Sequence, residues 1–418
     1  MNKAIRFRFR EVRPEGKSAI RLLLLFQVLS LALVFLFRIQ EITPMALFFA
    51  GGLIFSSFFS TWLINRISTG DPYPLVIAHM IFSIGVIMIY RIRPDLGLKQ
   101  MLLYLIALLA YFLFYFLLRR FPHFWASLLS PYFFLTLACF VITLVFGHSL
   151  YGAKNWIRIG SIQLQPSEFS KLPFIFLIAG WFRRYEDFQG SLLKKLSLTL
   201  ASFFLIGLFF IQKELGTAMV FFAVLVIAQV AYERHAWIPL MNFLLALIGL
   251  WVAYLLFPYI RDRFSLWLDP WADANNKGYQ IIQAFFALAA GSFFGTGLGL
   301  GQPGRIPLGH SDFIFAAIVE EFGSIMGICL ILLFILLLYR GFKAAMRQDR
   351  DFYAVLALGV VILFAAQAFL MFAGTMSLIP LTGITIPFLT YGGSSLISSF
   401  LLLAVLQVAS ESINQKEG

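Results

Sequence analysis

The chain has 418 residues, of which 61% are hydrophobic, 17% aromatic and only 12% charged. Because a soluble protein carries roughly 25% charged residues, this composition excludes an ordinary soluble fold and predicts a polytopic membrane protein. The net charge of +12 would suggest nucleic-acid binding in a soluble chain, but membrane topology accounts for most of it, so no nucleic-acid partner is predicted.

The chain begins with a basic tail, predicted over 1–18 and predicted to be cytoplasmic. An apolar run of about nineteen residues follows it with no small-residue cleavage site, which predicts a retained first helix and not a signal peptide. The two cysteines, Cys139 and Cys329, both lie in apolar runs. They therefore predict neither a disulfide framework nor a cysteine-rich metal site.

Long apolar runs broken by charge, Pro or Gly predict an all-α fold with about twelve transmembrane helices. The predicted spans lie near 19–37, 44–64, 74–90, 100–118, 131–149, 168–183, 196–212, 215–232, 236–257, 313–340, 353–374 and 391–411. An even number of spans places both termini on one side. If that side is cytoplasmic, 19 of the 32 Lys and Arg lie on the inner side and 12 on the outer side, in agreement with the positive-inside rule.

Residues 19–411 are predicted to form a single membrane domain, followed by a cytoplasmic tail over 412–418. One connection, 258–312, is long, and loops of that length without structure are uncommon unless they are functional. Within this outer loop the apolar segment 279–294 is too short to span a bilayer. We expect it to form a short helix that lies in the interface or re-enters the membrane.

Basic residues on the predicted outer side concentrate in three connections, 149–171, 212–215 and 258–312. This concentration predicts that these connections bind an anion. The alternative is local pairing with nearby carboxylates, because an unpaired charge at membrane depth is costly. The first two connections supply the candidates Lys154, Arg158, Glu168, Lys171, Lys213 and Glu214. Glu168 and Lys171 are spaced i,i+3 near a helix start at Pro166, so an internal ion pair between them is as well supported as a ligand role.

The third connection, the long loop, carries acids and bases beside tryptophans that favour the headgroup region. Its candidates are Arg263, Asp269, Asp273, Lys277 and Gln280. A carboxylate held beside cations at this depth is suited to act as a base on a lipid-linked anionic substrate. The alternative is a polar turn anchored by tryptophan.

Two further segments follow. The glycines of 295–301 resemble a phosphate loop only weakly, since no strand precedes them and no GK[ST] follows. His310 and Asp312, with Glu320 and Glu321 further along, are compatible with a metal or proton site, but the histidine spacing gives no metal prediction. The stretch 380–395 is broken by Pro and Gly and includes Ser394 and Ser395; such backbone at membrane depth predicts a cavity.

Taken together, these segments resemble the SEDS family (shape, elongation, division and sporulation) of RodA- and FtsW-type cell-wall proteins. The matching strings, in the family's order, are GAKNWIRIG, QPSEFSK, KELGT, DPWAD, GYQIIQ, GTGLGLG, HSDFIFAAIVEEFG and PLTGITIPFLTYGGSS. Members commonly have ten spans, so the resemblance implies a core over 74–411 and an extra two-helix part over 19–73.

The resemblance implies a peptidoglycan glycosyltransferase that polymerises lipid II at the outer face of the bacterial cytoplasmic membrane, for elongation, division or sporulation. A class B penicillin-binding protein is the implied partner in a cell-wall complex. The second Asp of the DPWxD element, Asp273, is the implied essential acid. Arg158, Lys171, Arg263 and Lys277 are the candidates for the pyrophosphate. No resident cofactor or metal is predicted, although a divalent cation such as Mg²⁺ stays open.

Two other functions remain as alternatives. A transporter or flippase of the same precursor would suit twelve spans with broken helices, but it would place the decisive charges at the bilayer midplane, not in outer loops. A noncatalytic scaffold of the cell-wall complex would make Asp273 dispensable.

Overall fold

The structure, a computed structural model, describes residues 17–37, 43–150, 153–160, 162–348 and 351–411. Its helices are α1 (Lys17–Phe37), α2 (Pro44–Ile67), α3 (Tyr73–Ile92), α4 (Pro94–Arg120), α5 (Pro122–Ser127), α6 (Ser130–Phe146), α7 (Pro166–Arg183), α8 (Leu192–Lys195), α9 (Ser197–Gln212), α10 (Leu215–Tyr232), α11 (Trp237–Leu256), α12 (Pro258–Leu268), α13 (Tyr279–Gly291), α14 (Ile314–Arg347), α15 (Asp351–Thr375) and α16 (Gly393–Ser410). The strands are β1 (His148–Leu150), β2 (Ala153–Ile159) and β3 (Ile162–Leu164).

The predicted all-α polytopic membrane fold is confirmed, and each of the twelve predicted spans falls on one helix. In the described ranges, 9 helices are long and apolar enough to cross a membrane. The other three predicted spans are α6, α7 and α9. Helices α6 and α9 are apolar but have only 17 and 16 residues, and α7 carries Glu168, Lys171 and Arg183.

A small antiparallel sheet in the order β1-β2-β3 was not predicted from the sequence. It fills the connection between α6 and α7, where Arg158 pairs with Gln163 and Ile157 with Leu164. Gly160, with φ of 62°, lies in the tight turn that joins β2 to β3, a conformation that glycine adopts without strain. β1 and β3 have only three residues each, too few for an alternating pattern, and β2 does not alternate strictly between polar and apolar residues.

The most buried spans form the centre of the bundle. In α3, α15 and α16, 83%, 78% and 78% of the apolar window is buried, against 28% in α1 and 22% in α11. The α1–α2 hairpin is therefore peripheral, and it packs on α3 and α4. Buried polar contacts join it to the core, since Gln27 donates to Ser57 and Ser83 and the Ser60 hydroxyl lies 2.8 Å from the His79 ring.

Helix α14 is broken at Gly323, whose φ of 85° and ψ of 168° are not helical. The segment that follows α13 fills this break. Ser324 N donates to Ser292 O at 2.9 Å, and Thr296 N donates to Glu320 O at 2.9 Å. The short helix predicted over 279–294 is thus present as α13, and it lies against the first half of α14.

The bundle has two distinct ends. We call the end that carries the 258–312 connection and the N-terminal ends of α7, α10, α14 and α16 the loop face. The other end is held by ion pairs between distant segments: Arg340 with Asp71 at 3.1 Å and Arg119 with Glu411 at 3.4 Å. The first pair joins α14 to the turn between α2 and α3, and the second joins the end of α4 to the end of α16.

The first prediction concerns the orientation of these ends. A reporter fused after Lys277 should lie on the outer face of the membrane and one fused after Arg347 on the inner face, because basic residues concentrate at the second end. Accessibility of each fusion to a membrane-impermeant reagent measures this. Reversal of either result would contradict the assignment of the loop face.

The second prediction concerns the break in α14. A Cβ at Gly323 would lie 2.2 Å from the Phe293 carbonyl oxygen, and a non-glycine residue at positive φ costs about 1 to 3 kcal/mol. Gly323→Ala should therefore lower the thermal stability of the purified protein clearly. The matched control is Gly207→Ala, whose Cβ meets nothing within 4 Å. Equal stability of the two variants would contradict the prediction.

Candidate active site

The irregular stretch between α15 and α16, residues 376–392, lies at the centre of the loop face. Distant segments donate to its backbone carbonyls: Arg263 Nη1 to Leu381 O at 2.7 Å, Trp267 Nε1 to Ser377 O at 2.8 Å, and Gln100 Nε2 to Thr390 O at 3.2 Å. Irregular backbone at membrane depth needs such partners within the protein. The cavity predicted for 380–395 stays a prediction.

The side chains of Arg263 and Asp312 both lie next to Gly383. A Cβ at Gly383 would be 3.7 Å from Arg263 Nη2 and 3.8 Å from Asp312 Oδ2. Burial lowers the pKa of Arg263, and the Asp312 charge opposes that shift. Burial raises the pKa of Asp312 to about 6, against the effect of Arg263. A guanidinium has five N–H donors, so the bond to Leu381 leaves further donors for an anion.

Glu168 and Lys171 form a buried ion pair at the start of α7. Lys171 Nζ lies 2.6 Å from Glu168 Oε2, and the two side chains are only 2% and 5% exposed. Ser398 Oγ of α16 also donates to Glu168 Oε2 at 3.2 Å. The internal pairing weighed from the sequence is therefore present, and a ligand role for these two residues stays a prediction.

Glu214 and two serines extend this cluster. Glu214 Oε1 accepts from Gln165 Nε2 at 2.9 Å and from Ser167 Oγ at 3.2 Å. Burial raises the pKa of Glu214, and the hydrogen bonds from neighbouring side chains oppose that shift. Ser394 Oγ accepts from Gln165 N at 3.0 Å, and the Ser395 hydroxyl lies 2.5 Å from that of Thr385. These contacts join α7 and α10 to the start of α16.

Asp269 and Asp273 have different surroundings in the turn after α12. Asp269 caps the 3-10 turn Pro270–Asp273, because its Oδ1 accepts from Trp271 N and Ala272 N. Asp273 is partly exposed and accepts from Asn276 Nδ2 at 2.9 Å and Lys277 N at 3.3 Å. The carboxylate of Asp273 is therefore oriented by its own turn and remains accessible from outside.

The other predicted cations lie further from the 376–392 stretch or are already paired. Lys277 Nζ is 2.7 Å from Asp262 Oδ2, and this contact raises the pKa of Lys277. Arg158 is exposed and donates to Gly160 O. Lys213 is exposed and ends α9 with a left-handed φ of 62°. Lys154 lies in β2, but its side chain is outside the described part of the chain.

Two more candidates lie at the edges of the site. Gln280, partly exposed, is in the first turn of α13. The backbone oxygen of His310 accepts from Tyr391 N at 3.1 Å, and burial lowers the pKa of its ring. His310 thereby ties the segment before α14 to the 376–392 stretch.

The glycine loop 295–301 serves a structural role, unlike a phosphate loop. Its amides bind acids of α14: Gly297 N donates to Glu321 O, and Gly299 N to Glu321 Oε2. Glu321 also lies 3.3 Å from Arg91, a residue that the sequence analysis did not select. In the described ranges, no group of three or more His, Cys, Asp or Glu is placed to hold a metal ion.

Two sets of the predicted residues thus meet at the 376–392 stretch and the first turn of α16. One set contains His310, Asp312 and Arg263, and the other contains Glu168, Lys171, Glu214, Ser394 and Ser395. Asp269, Asp273, Lys277 and Gln280 form a separate, more exposed group on the α12–α13 connection. The sequence analysis missed Gln165, Ser398 and Thr385. Ser398 follows Ser394 by one helical turn, and this spacing is the signal that could have revealed it.

Comparisons with known proteins match this chain to one family. A family model described as "Cell cycle protein", of the FtsW, RodA and SpoVE type, matches residues 71–415. The chain is 38% identical to the peptidoglycan glycosyltransferase RodA of Mycobacterium tuberculosis over 268 residues, which is 61% of this chain and 57% of that protein. It is 32% identical to RodA of Mycobacterium leprae over 430 residues, with 96% of this chain and 91% of that protein covered.

Solved structures share the fold. A chain of the structure described as "Structural coordination of polymerization and crosslinking by a peptidoglycan synthase complex" has a TM-score of 0.69 and 27% identity, with 81% of this chain and 97% of that chain covered. Rod shape determining protein RodA of Thermus thermophilus has a TM-score of 0.62 and 22% identity, with 82% and 97% covered, and it supports the fold alone. The chain therefore belongs to the FtsW, RodA and SpoVE family of cell cycle proteins.

Proposed function

We propose that this protein is a peptidoglycan glycosyltransferase that polymerises lipid II into glycan strands at the outer face of the bacterial cytoplasmic membrane. The observation that carries the proposal is the α12–α13 connection, which presents the accessible carboxylate of Asp273 on the same face as the half-buried guanidinium of Arg263. The relatives named peptidoglycan glycosyltransferase support it. The excess of basic residues at the opposite end supports the outward orientation of the loop face.

Asp273 acts as the base in this proposal. The 4-hydroxyl oxygen of the acceptor sugar attacks the anomeric carbon of the donor, and the bond from that carbon to the lipid pyrophosphate breaks with inversion. The hydroxyl proton passes to the Asp273 carboxylate. Pyrophosphate leaves without a general acid, unlike the sugar oxygen that a glycosidase must protonate, so one carboxylate and nearby cations suffice.

Arg263 is the best placed of the cations for the pyrophosphate. It is partly buried, where charge interactions are stronger than in water, and it keeps free donors beside Gly383. Lys277 and Lys171 already pair with Asp262 and Glu168, so they would have to exchange partners to bind substrate. A divalent cation such as Mg²⁺ enters the proposal as a companion of the substrate pyrophosphate, whose oxygens are ligands that Mg²⁺ prefers.

A class B penicillin-binding protein, which crosslinks the glycan, is the proposed partner, within an elongation or division complex. The similar chain in a structure of a peptidoglycan synthase complex that couples polymerisation and crosslinking supports this proposal. Such a pairing brings a crosslinking enzyme close to the place where new glycan emerges.

A flippase of the same precursor is the second candidate. The observation that favours it is the buried Glu168–Lys171 pair inside α7, since ionisable groups within spans often mark transport paths. Purified protein in vesicles separates the two functions, because a polymerase makes glycan from lipid II present on its active side, whereas a flippase only moves lipid II between leaflets.

The third prediction tests the base. Asp273→Asn keeps the size of the side chain but cannot accept the proton, so glycan synthesis from lipid II should fall by about 10²- to 10⁴-fold. Asp269→Asn is the matched control and should cost much less, because asparagine also serves as an N-cap acceptor. Both variants must insert and bind lipid II. Near-normal polymerisation by Asp273→Asn would exclude Asp273 as the base. Loss of synthesis only in Asp269→Asn would assign the role of the base to Asp269 instead.

The fourth prediction tests the cation. Arg263→Gln should weaken lipid II binding by roughly tenfold or more, because a charge-assisted hydrogen bond to the pyrophosphate is lost. Arg261→Gln, two residues earlier on α12 and exposed, should bind lipid II as the unmodified protein does. Binding to purified, correctly folded variants measures the effect. Equal affinity of both variants would show that Arg263 does not hold the pyrophosphate.

A further inference from the structure

A cavity lies between α13, the glycine loop and the first half of α14. Its volume is about 340 Å³, within the range of small-ligand sites. Its α13 wall is mostly apolar, with Phe286, Ala287 and Ala290 beside Gln283, whereas Gln302, Arg305 and Glu320 make the facing wall polar. None of the residues assigned above to polymerisation lines this cavity.

Glu320 supplies an unused acceptor to this cavity. Its Oε1 accepts from Gln302 N at 2.7 Å, which fixes the carboxylate, and the residue is only 7% exposed. Its Oε2 is buried and has no hydrogen-bond partner among the described residues. Buried polar atoms are rarely left without a partner, because an unmade bond costs free energy. Glu321 differs, since Gly299 N and Arg91 both contact its carboxylate.

Arg305 supplies the opposite charge. It ends the 3-10 turn Pro303–Arg305, is exposed, and lines the same cavity. In the described ranges no ion pair joins Arg305 to Glu320. The cavity therefore offers a cationic donor at one position and a carboxylate acceptor at another, which suits a ligand that carries both an anionic and a cationic group.

Apolar side chains surround the cavity on the outside of the protein. Phe286 and Leu300 line it and are 53% and 62% exposed, and Phe293 and Phe294, on the segment that follows α13, are 69% and 84% exposed. In a chain that spans a membrane, such a surface contacts acyl chains. A ligand that reaches this cavity from the lipid phase would have a polar headgroup attached to hydrocarbon.

We propose that this cavity binds the headgroup of a phospholipid that carries a phosphate and a primary ammonium. The ammonium donates to Glu320 Oε2, the phosphate accepts from Arg305, and the acyl chains lie along Phe286 and Phe293. A trimethylammonium headgroup lacks the N–H donor that Glu320 requires. A headgroup with phosphate but no ammonium offers Glu320 only a neutral hydroxyl donor, which binds a carboxylate less strongly than an ammonium does. The proposal does not depend on the glycosyltransferase assignment.

The test compares three lipids on delipidated, full-length protein. Native mass spectrometry and thermal unfolding are measured with phosphatidylethanolamine, phosphatidylcholine or phosphatidylglycerol added in detergent. We expect phosphatidylethanolamine to bind roughly tenfold more tightly than either of the others, because one charge-assisted hydrogen bond distinguishes them, and to raise the unfolding temperature accordingly.

Glu320→Gln should reduce the preference for phosphatidylethanolamine, because it removes the carboxylate that binds the ammonium. Arg305→Gln should weaken binding of all three lipids, because each carries the phosphate, and Arg261→Gln is the unaffected control. Arg305 is exposed, so its variant keeps the test valid if Glu320→Gln fails to fold. Equal binding of the three lipids by the unmodified protein would overturn the proposal. Unchanged affinity of Arg305→Gln for all three lipids, or a full preference retained by a folded Glu320→Gln, would overturn it as well.

Discussion

The loop face depends on one constraint: backbone that is not helical at membrane depth must find its hydrogen-bond partners within the protein. The 376–392 stretch meets it with side chains from distant elements. Arg263, Trp267 and Gln100 donate to its carbonyls, and His310 O accepts from Tyr391 N. Because these hydrogen-bond partners come from α12, α4 and the segment before α14, the same bonds that satisfy the stretch also assemble the candidate active site around it.

The same constraint explains the broken helix α14. A break at Gly323 frees the carbonyls of Glu320 and Glu321, and the amides of Thr296 and Gly297 bind them. The glycine loop thus completes the hydrogen bonding of a neighbouring helix and has little capacity to cradle a phosphate. The glycine loop lies close to α14 and leaves the lipid-facing cavity beside Glu320. The contact that completes the hydrogen bonding of α14 therefore also forms a second place where a ligand can bind.

Pairing among charged residues changes how the basic residues of the loop face are interpreted. From the sequence, four cations were equivalent candidates for the pyrophosphate. In the structure, Lys171 is in a buried pair, and removing one member of such a pair costs about 3 to 5 kcal/mol, so its loss would damage folding as well as binding. Lys277 is in an exposed pair, which contributes little to stability and can open. Arg263 and Arg158 each donate to a backbone carbonyl and keep further donors, but Arg263 is partly buried whereas Arg158 is exposed.

The sequence by itself determined the spans, the long connection with its short helix, and the i,i+3 pair of Glu168 and Lys171, because apolar run length and helical spacing are local properties. Tertiary structure alone decided which distant residues meet. Arg263 and Leu381 are 118 positions apart, and Ser398 and Glu168 are 230 apart, so no local pattern records these contacts. The sequence also did not predict the three strands before α7. Their pairing is set by neighbours across the sheet and by packing against α6. The three-residue strands β1 and β3 show no periodicity of their own.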